Sequence, residues 1–278
     1  MNFLLVMIKI MSHKWQGKAN SISKSEVKNI LENKNYKLLQ GDCLKLMKEI
    51  PNKSIDMILC DLPYGMTACK WDSIIPFDKM WEQYNRIIKD NGAILLFATN
   101  PFAAELIMSN REMYRYEWVW DKEQGTNQFL KDMQPLRKHE FILVFYKQLP
   151  TYNPIMVQSW RREIKIRKET NNEIVGIESK EKTSYDSRGL KYPVSVLPIN
   201  RPHWREGRFH PCQKPILLCE YLIKTYTNEG EVILDNCMGS GSTGVAALSL
   251  HRKFIGIELD EKYFQIAEKR IQDVVEMK

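Results

Sequence analysis

The run Ala93-Ile-Leu-Leu-Phe-Ala98 has no polar face. A strand of that composition must be covered on both sides, and strands buried on both sides are characteristic of parallel sheets packed between helices. Three more short runs share the character: Ile55–Cys60, Glu231-Val-Ile-Leu-Asp235 and Phe254-Ile-Gly-Ile-Glu258. Tyr36–Gln40, Tyr116–Trp120 and Phe141–Tyr146 also read as strands. Between them lie segments with apolar residues at helical spacing, namely Phe77–Ile88, Asn100–Ser109, Ile216–Tyr226, Val245–Leu250 and Leu259–Val275. Strands alternating with helices predict an open α/β sheet. Three of the runs end in a carboxylate, at Asp61, Asp235 and Glu258. Ligands of such sheets gather at the carboxyl ends of the strands, so these acids are the first candidates for function.

The chain has 278 residues, enough for one large domain or one domain carrying an insert. Its net charge of +7 suits a polyanionic partner. Six cysteines are scattered without a Cys-x-x-Cys pair, which removes the spacing of a metal site and predicts reduced thiols in a cytoplasmic setting. Residues 1–34 read as a peripheral arm. Their apolar start lacks the basic residues and cleavage site of a signal peptide and is too short to cross a bilayer. Residues 35–150 form one half of the domain and 209–278 the other. Between them, 151–208 is dense in charge, with isolated aromatics such as Trp160, Tyr185, Tyr192 and Trp204 and no sheet-like apolar run. Basic side chains interleaved with aromatics fit a nucleic-acid surface, and an ordinary charged subdomain fits as well.

The strand Ile55–Cys60 runs into Asp61-Leu62-Pro63-Tyr64-Gly65. Here a carboxylate can accept hydrogen bonds from an amino group, a proline stiffens the turn, and an aromatic ring can stack on a flat partner. The loop Met66–Asp72 follows without periodicity. Asn91-Gly92 reads as the end of the helix Phe77–Ile88, and the polar, basic stretch Asp121–His139 reads as a loop that could track phosphates or lie solvated at the surface. The second informative stretch starts at Asp235, passes through the glycine turn Gly239-Ser240-Gly241-Ser242-Thr243-Gly244 into a helix, and reaches Glu258, 19 residues after Gly239. Glycines admit close approach of a ligand, and an acid at the end of the next strand can bind ribose hydroxyls. The turn lacks the lysine of a phosphate-cradling loop. Its Gly-x-Gly-x-x-Gly spacing literally fits a dinucleotide, so an NAD-dependent oxidoreductase stands as one reading. Asp42, at a strand-to-helix junction, reads as a helix N-cap.

These segments together resemble the β group of S-adenosylmethionine-dependent DNA amino-methyltransferases. Asp61-Leu-Pro-Tyr64 is similar to that family's Asp-Pro-Pro-Tyr motif, with Leu62 in place of the first proline. Asp235-Asn-Cys-Met-Gly-Ser-Gly-Ser-Thr-Gly is similar to its Asp-Pro-Phe-x-Gly-Ser-Gly-Thr-Thr cofactor motif, with Asn236 and Cys237 as departures. His210-Pro-Cys-Gln-Lys-Pro resembles His-Pro-Thr-Gln-Lys-Pro. The catalytic turn comes first, the insert second and the cofactor motif last, which is the permuted order of the β group. Lys70-Trp71-Asp72 after the turn also looks like stand-alone methylases of phages and mobile elements.

The resemblance implies a Rossmann-like methyltransferase fold, with a mixed, mostly parallel seven-stranded sheet and an inserted target-recognition region at 151–208. It implies transfer of a methyl group from S-adenosylmethionine to an exocyclic amino group of a base flipped out of double-stranded DNA. Asp61 and the backbone carbonyl of Leu62 would accept from the amino group, Pro63 would hold the turn, and Tyr64 would stack on the base. Asp235, Gly239, Ser240, Gly241 and Thr243 would line the methionine part of the cofactor, and Glu258 would take the ribose. Asp42 and Cys43 would lie by the adenine, with Asp61 and Lys214 also on the cofactor side. An initial Asp points to adenine N6. Cytosine N4, an RNA or protein amide substrate, and a catalytically silent DNA-binding module are the alternatives. Many β-group enzymes form homodimers, and no sequence feature here decides that point.

Overall fold

The computed structural model describes residues 35–66, 72–158, 189–202, 209 and 212–277, together with four three-residue strands between 164 and 186. The expected N-terminal arm, Lys70-Trp71, Trp160, Trp204 and His210-Pro211 lie outside the described residues. The main sheet contains β1 (Tyr36–Gln40), β2 (Ile55–Asp61), β3 (Ile88–Ala98), β4 (Tyr114–Thr126), β5 (Arg137–Phe145), β6 (Val196–Pro198), β7 (Val232–Asp235) and β8 (Lys253–Glu258). Its order is β1-β8-β7-β2-β3-β5-β4-β6. The first five strands in that order are mutually parallel, β5 is antiparallel to β3 and β4, and β6 is parallel to β4.

Both faces of the sheet are covered, which is why the central runs are continuously apolar. On one face lie the short α1 (Cys43–Leu46), then α2 (Phe77–Ile87) and α3 (Phe102–Ser109). On the other lie α4 (Ile216–Tyr226), α5 (Ser242–Ser249) and α6 (Glu261–Glu276). Strand alternation divides the core between them. Ile94, Leu96 and Ala98 of β3 face the first helix layer, whereas Ala93, Leu95 and Phe97 face the second. Helix α2 follows Pro76 and buries Met80, Trp81, Tyr84 and Ile87, a single stripe at helical spacing. Helix α4 follows Pro215 and does the same with Leu218, Cys219, Leu222, Ile223 and Tyr226.

The expected mixed, mostly parallel sheet is present, with eight strands in place of seven. The additional strand, β6, lies inside the stretch read as an insert and pairs with β4 through Val196–Pro198. It is three residues long, with only Leu197 buried, so it leaves no apolar run to detect. The other strands described in that stretch form nested antiparallel pairs. Val157–Gln158 joins Leu190–Lys191, Ile164–Ile166 joins Ser184–Asp186, and Thr170–Asn172 joins Ile177–Ser179. Backbone hydrogen bonds make such a ribbon without demanding a buried face, which explains the missing periodicity.

Two boundaries also move. The helix expected to run to Ile88 and end at Asn91-Gly92 stops at Ile87, and both residues lie within β3. The surplus is absorbed as an irregularity, because Ile55 pairs with Ile88 while Met57 pairs with Ala93. The polar stretch from Asp121 to His139, expected as a loop, is largely strand. Strands β4 and β5 extend through it as a hairpin closed by a 3-10 turn at Gln128–Leu130.

Candidate active site

The parallel registers align the carboxyl ends of the strands that carry acids. Gln40 pairs with Glu258, Asp235 with Gly256, and Leu234 with Ile58. The helix between β2 and β3 covers one face and the helix between β7 and β8 covers the other, so a crevice opens between β2 and β7. This is the topological switch point where open α/β sheets bind ligands. A cleft of about 340 Å³ occupies it, lined by both the Asp61 turn and the glycine turn.

On the β2 side, Asp61 is half-buried and Tyr64 donates its hydroxyl to Asp61 Oδ1 at 2.7 Å. The Tyr64 ring rests against Phe102, with centroids 5.0 Å apart. Leu62 is buried in the core beneath the turn, which accounts for a leucine where a stiffer residue is usual. Gly65 takes φ of +67°, and a side chain there would also meet Ile74. Asp72 then draws the chain back, since its two oxygens accept from the amides of Gly65 at 2.9 Å and Met66 at 3.0 Å.

Lys214, expected on the cofactor side, is ion-paired to Asp61 Oδ2. The ammonium also lies 3.4 Å from Glu140 Oε2 and over the Phe97 ring. Glu140 in turn pairs with Lys122 at 2.5 Å through its other oxygen. Four charges of alternating sign thus run from the turn into the base of the β4–β5 hairpin. Burial pushes the Asp61 carboxyl above its ordinary range, and the Lys214 charge opposes that shift. Burial acts to lower Lys214, but Asp61 and Glu140 outweigh it and hold the ammonium charged.

On the β7–β8 side, Asp235 is buried and pushed up to about 7 by desolvation, against the pull of the Thr243 hydroxyl and the Cys237 amide. Glu258 anchors two backbone amides at 2.8 Å each, Gly239 through Oε2 and Asp260 through Oε1. Ser240, Gly239 and Thr243 border the cleft. Gly241 does not. It has φ of +80° at the start of α5, and a Cβ there would lie 3.0 Å from Ala267 Cβ, so its place is in helix packing. Asp42 caps α1 by accepting from Lys45 at 3.1 Å, and it also borders the cleft together with Cys43.

The family model described as DNA methylase matches residues 55–269. The match spans both halves of the site. The chain belongs to the DNA methylase family.

The methylase is 51% identical over 266 residues to the type II methyltransferase M2.DpnII of Streptococcus pneumoniae, covering 86% of this chain and 91% of that protein. It is 24% identical over 251 residues to the DNA adenine methyltransferase YhdJ of Escherichia coli K12, covering 84% and 82% of the two chains. Its fold is similar to that of the M1.HpyAVI–SAM complex, with a TM-score of 0.58 at 23% identity, covering 85% of this chain and 98% of that one. Membership in this family sets aside the oxidoreductase reading of the glycine spacing.

Several contacts of the candidate site escaped the sequence. Lys122 sat in the polar stretch 121–139, read as a loop that could track phosphates or lie solvated at the surface, and Glu140 fell just beyond it. Asp72 was noted in an aperiodic segment and in the Lys70-Trp71-Asp72 resemblance, but not as the anchor of the turn's amides. Ser242 borders the cleft with a buried hydroxyl that has no hydrogen-bond partner. Asn236 accepts from the buried Tyr84 hydroxyl at 2.6 Å, a contact 152 residues apart in sequence. Local pattern carries no signal for pairs of that separation.

Proposed function

We propose that this methylase transfers a methyl group from S-adenosylmethionine to the N6 amino group of adenine in double-stranded DNA. The observation that carries the reading is the cleft shared by two unlike walls. One presents a carboxylate beside an aromatic ring, Asp61 with Tyr64, and the other a glycine turn closed by Glu258. The lone pair of an exocyclic amino group is delocalised into its ring. A carboxylate accepting its protons restores nucleophilicity and stabilises the positive charge that develops on nitrogen. Asp61 serves that role, assisted by the Leu62 backbone carbonyl, and Tyr64 stacks on the base, a contact worth roughly 1–3 kcal/mol in nucleic-acid systems.

The residues around the glycine turn fit the cofactor. Ser242 offers an unsatisfied buried hydroxyl at the cleft wall, and Glu258 retains lone pairs for ribose hydroxyls beyond the two amides it holds. Ser240 and Thr243 border the methionine end, and Asp42 and Cys43 the adenine end. When bound, S-adenosylmethionine supplies a methyl group activated by its sulfonium. The protein's share is proximity and orientation within the cleft.

Adenine is favoured over cytosine N4 by the initial Asp of the turn and by the adenine activity named for the similar YhdJ protein. The nested ribbon within 157–191 and the β4–β5 hairpin, whose Phe129 and Met133 are more than four-fifths exposed, supply the DNA-facing surface. No helix among the described residues is long and apolar enough to cross a membrane, and the reading extends to a cytoplasmic enzyme. The test is incubation with labelled S-adenosylmethionine and unmethylated genomic DNA, followed by nucleoside mass spectrometry. N6-methyladenine is the expected product. N4-methylcytosine overturns the base assignment, and absence of any methylated base overturns the DNA substrate.

A further inference from the structure

Asp61 must be free to accept from the target amino group, yet in the structure one of its oxygens is engaged by the Lys214 ammonium. The other already accepts from Tyr64. A buried cation on the acceptor also sits unfavourably close to a nitrogen that becomes positive during transfer. The same ammonium has a second carboxylate within reach. Glu140 Oε2 is buried, lies 3.4 Å from Lys214 Nζ and makes no hydrogen bond of its own, while the companion oxygen is held at 2.5 Å by Lys122. A buried charged oxygen left without a hydrogen bond is costly, and an added donor is strongly stabilising there.

We propose that Lys214 is a shared cation that rests on Asp61 in the free enzyme and swings onto Glu140 when the target amino group arrives, so that Glu140 and Lys122 are positioning residues of the reaction. The inference rests on the assignment of Asp61 as acceptor. In the resting position the lysine's charge opposes the upward push that burial gives the Asp61 carboxyl. In the second position the lysine completes the Glu140 hydrogen bonds and leaves Asp61 open. Strand β5 supplies Glu140 and β4 supplies Lys122, so the receiving site is built on two paired strands at the hairpin base. The other ionisable groups around Asp61 are Tyr64 on its own turn, Cys60 in β2, Asp235 in β7 and Cys212 before α4.

The test measures single-turnover transfer to unmethylated DNA against pH for Glu140→Gln, Lys214→Met and the double variant, with cofactor affinity measured separately by calorimetry. Glu140→Gln is expected to slow transfer by roughly tenfold or more with unchanged cofactor affinity, because the lysine stays on Asp61. Lys214→Met is expected to move the acid limb of the rate to higher pH, because Asp61 loses its neighbouring cation. Above that limb the double variant is expected to outpace Glu140→Gln alone, since no cation remains to occupy Asp61. The pair Lys122→Met with Glu140→Gln removes the lysine that the first variant leaves unpaired, and it is expected to transfer as slowly as Glu140→Gln. Wild-type rates in Glu140→Gln, or losses that multiply in the double variant with Lys214→Met, overturn the proposal. Retained transfer in Asp61→Ala marks a different failure, that of the acceptor assignment itself.

Discussion

The Tyr84 hydroxyl, buried in α2, donates to Asn236 Oδ1 at 2.6 Å in the turn after β7. The bond ties the first helix layer to the cofactor turn. It also explains a departure from the family's usual motif, because the proline common at this position has no side-chain acceptor.

Asn236→Pro should therefore destabilise the protein by about 1–3 kcal/mol, the cost of leaving a buried hydroxyl unpaired. Adding Tyr84→Phe should recover most of the loss. Urea denaturation of both variants checks this, and a neutral Asn236→Pro would remove the bond from any account of the turn.

Asp61→Ala should reduce methyl transfer by about a hundredfold or more while cofactor affinity stays within about twofold, since the lost interaction is one made in the transition state. Calorimetric titration with S-adenosylmethionine and a transfer assay on DNA separate the two quantities. A variant that loses cofactor binding and keeps its maximal rate contradicts the role given to Asp61.

Glu258→Ala should weaken cofactor binding by roughly 10–100-fold, the range for hydrogen bonds to a charged acceptor. The carboxylate also holds the amides of Gly239 and Asp260, so the turn loosens along with the ribose contact. An unchanged dissociation constant takes Glu258 out of the site.

Asp235 carries a pH signature. Its carboxyl is raised by burial from 3.8 to about 7. Across that window the folded protein keeps a proton that the unfolded chain has released, so this group's contribution to stability falls as pH rises and is fully lost above about 7. Asp235→Asn removes the dependence. Relative to the wild type, the variant should gain stability steadily from acid to neutral pH and then hold a constant advantage. Thermal melts of both proteins between pH 5 and pH 8 read this directly, and parallel curves would show that Asp235 titrates near its ordinary value.

What the sequence made legible follows the range of the interactions involved. The alternating elements, the strand-terminal acids and both turns were readable because hydrophobic periodicity and glycine placement are local signals. Helix Ile216–Tyr226 was anticipated to the residue, as its Pro215 start and apolar stripe are adjacent in sequence. The destination of Lys214 was not, because its partners are 153 residues away in β2 and on a strand whose polar extension resembled a loop. The ribbon strands within 157–191 were missed for a related reason: their pairing is backbone to backbone, and their short segments carry no apolar run in the sequence. Gly241 fitted a binding motif by spacing, and packing against Ala267 gave it a different place.

The strand order has a consequence for how the molecule is made. Among the described residues β1 has β8 as its one partner in the sheet, and β7, last but one of the sheet's strands in sequence, fills the gap between β8 and β2. A ribosome delivering the chain from its amino end therefore releases β1 and β2 long before the segments that join them exist. The centre of the sheet closes only when the final fifth of the chain emerges, and until then the unpaired backbone edges of β1 and β2 and the apolar faces beside them are exposed to whatever else is nearby. Nascent chains of this enzyme are expected to depend on holding chaperones for most of their synthesis, and early stop codons that spare every residue of the catalytic turn should still yield insoluble protein.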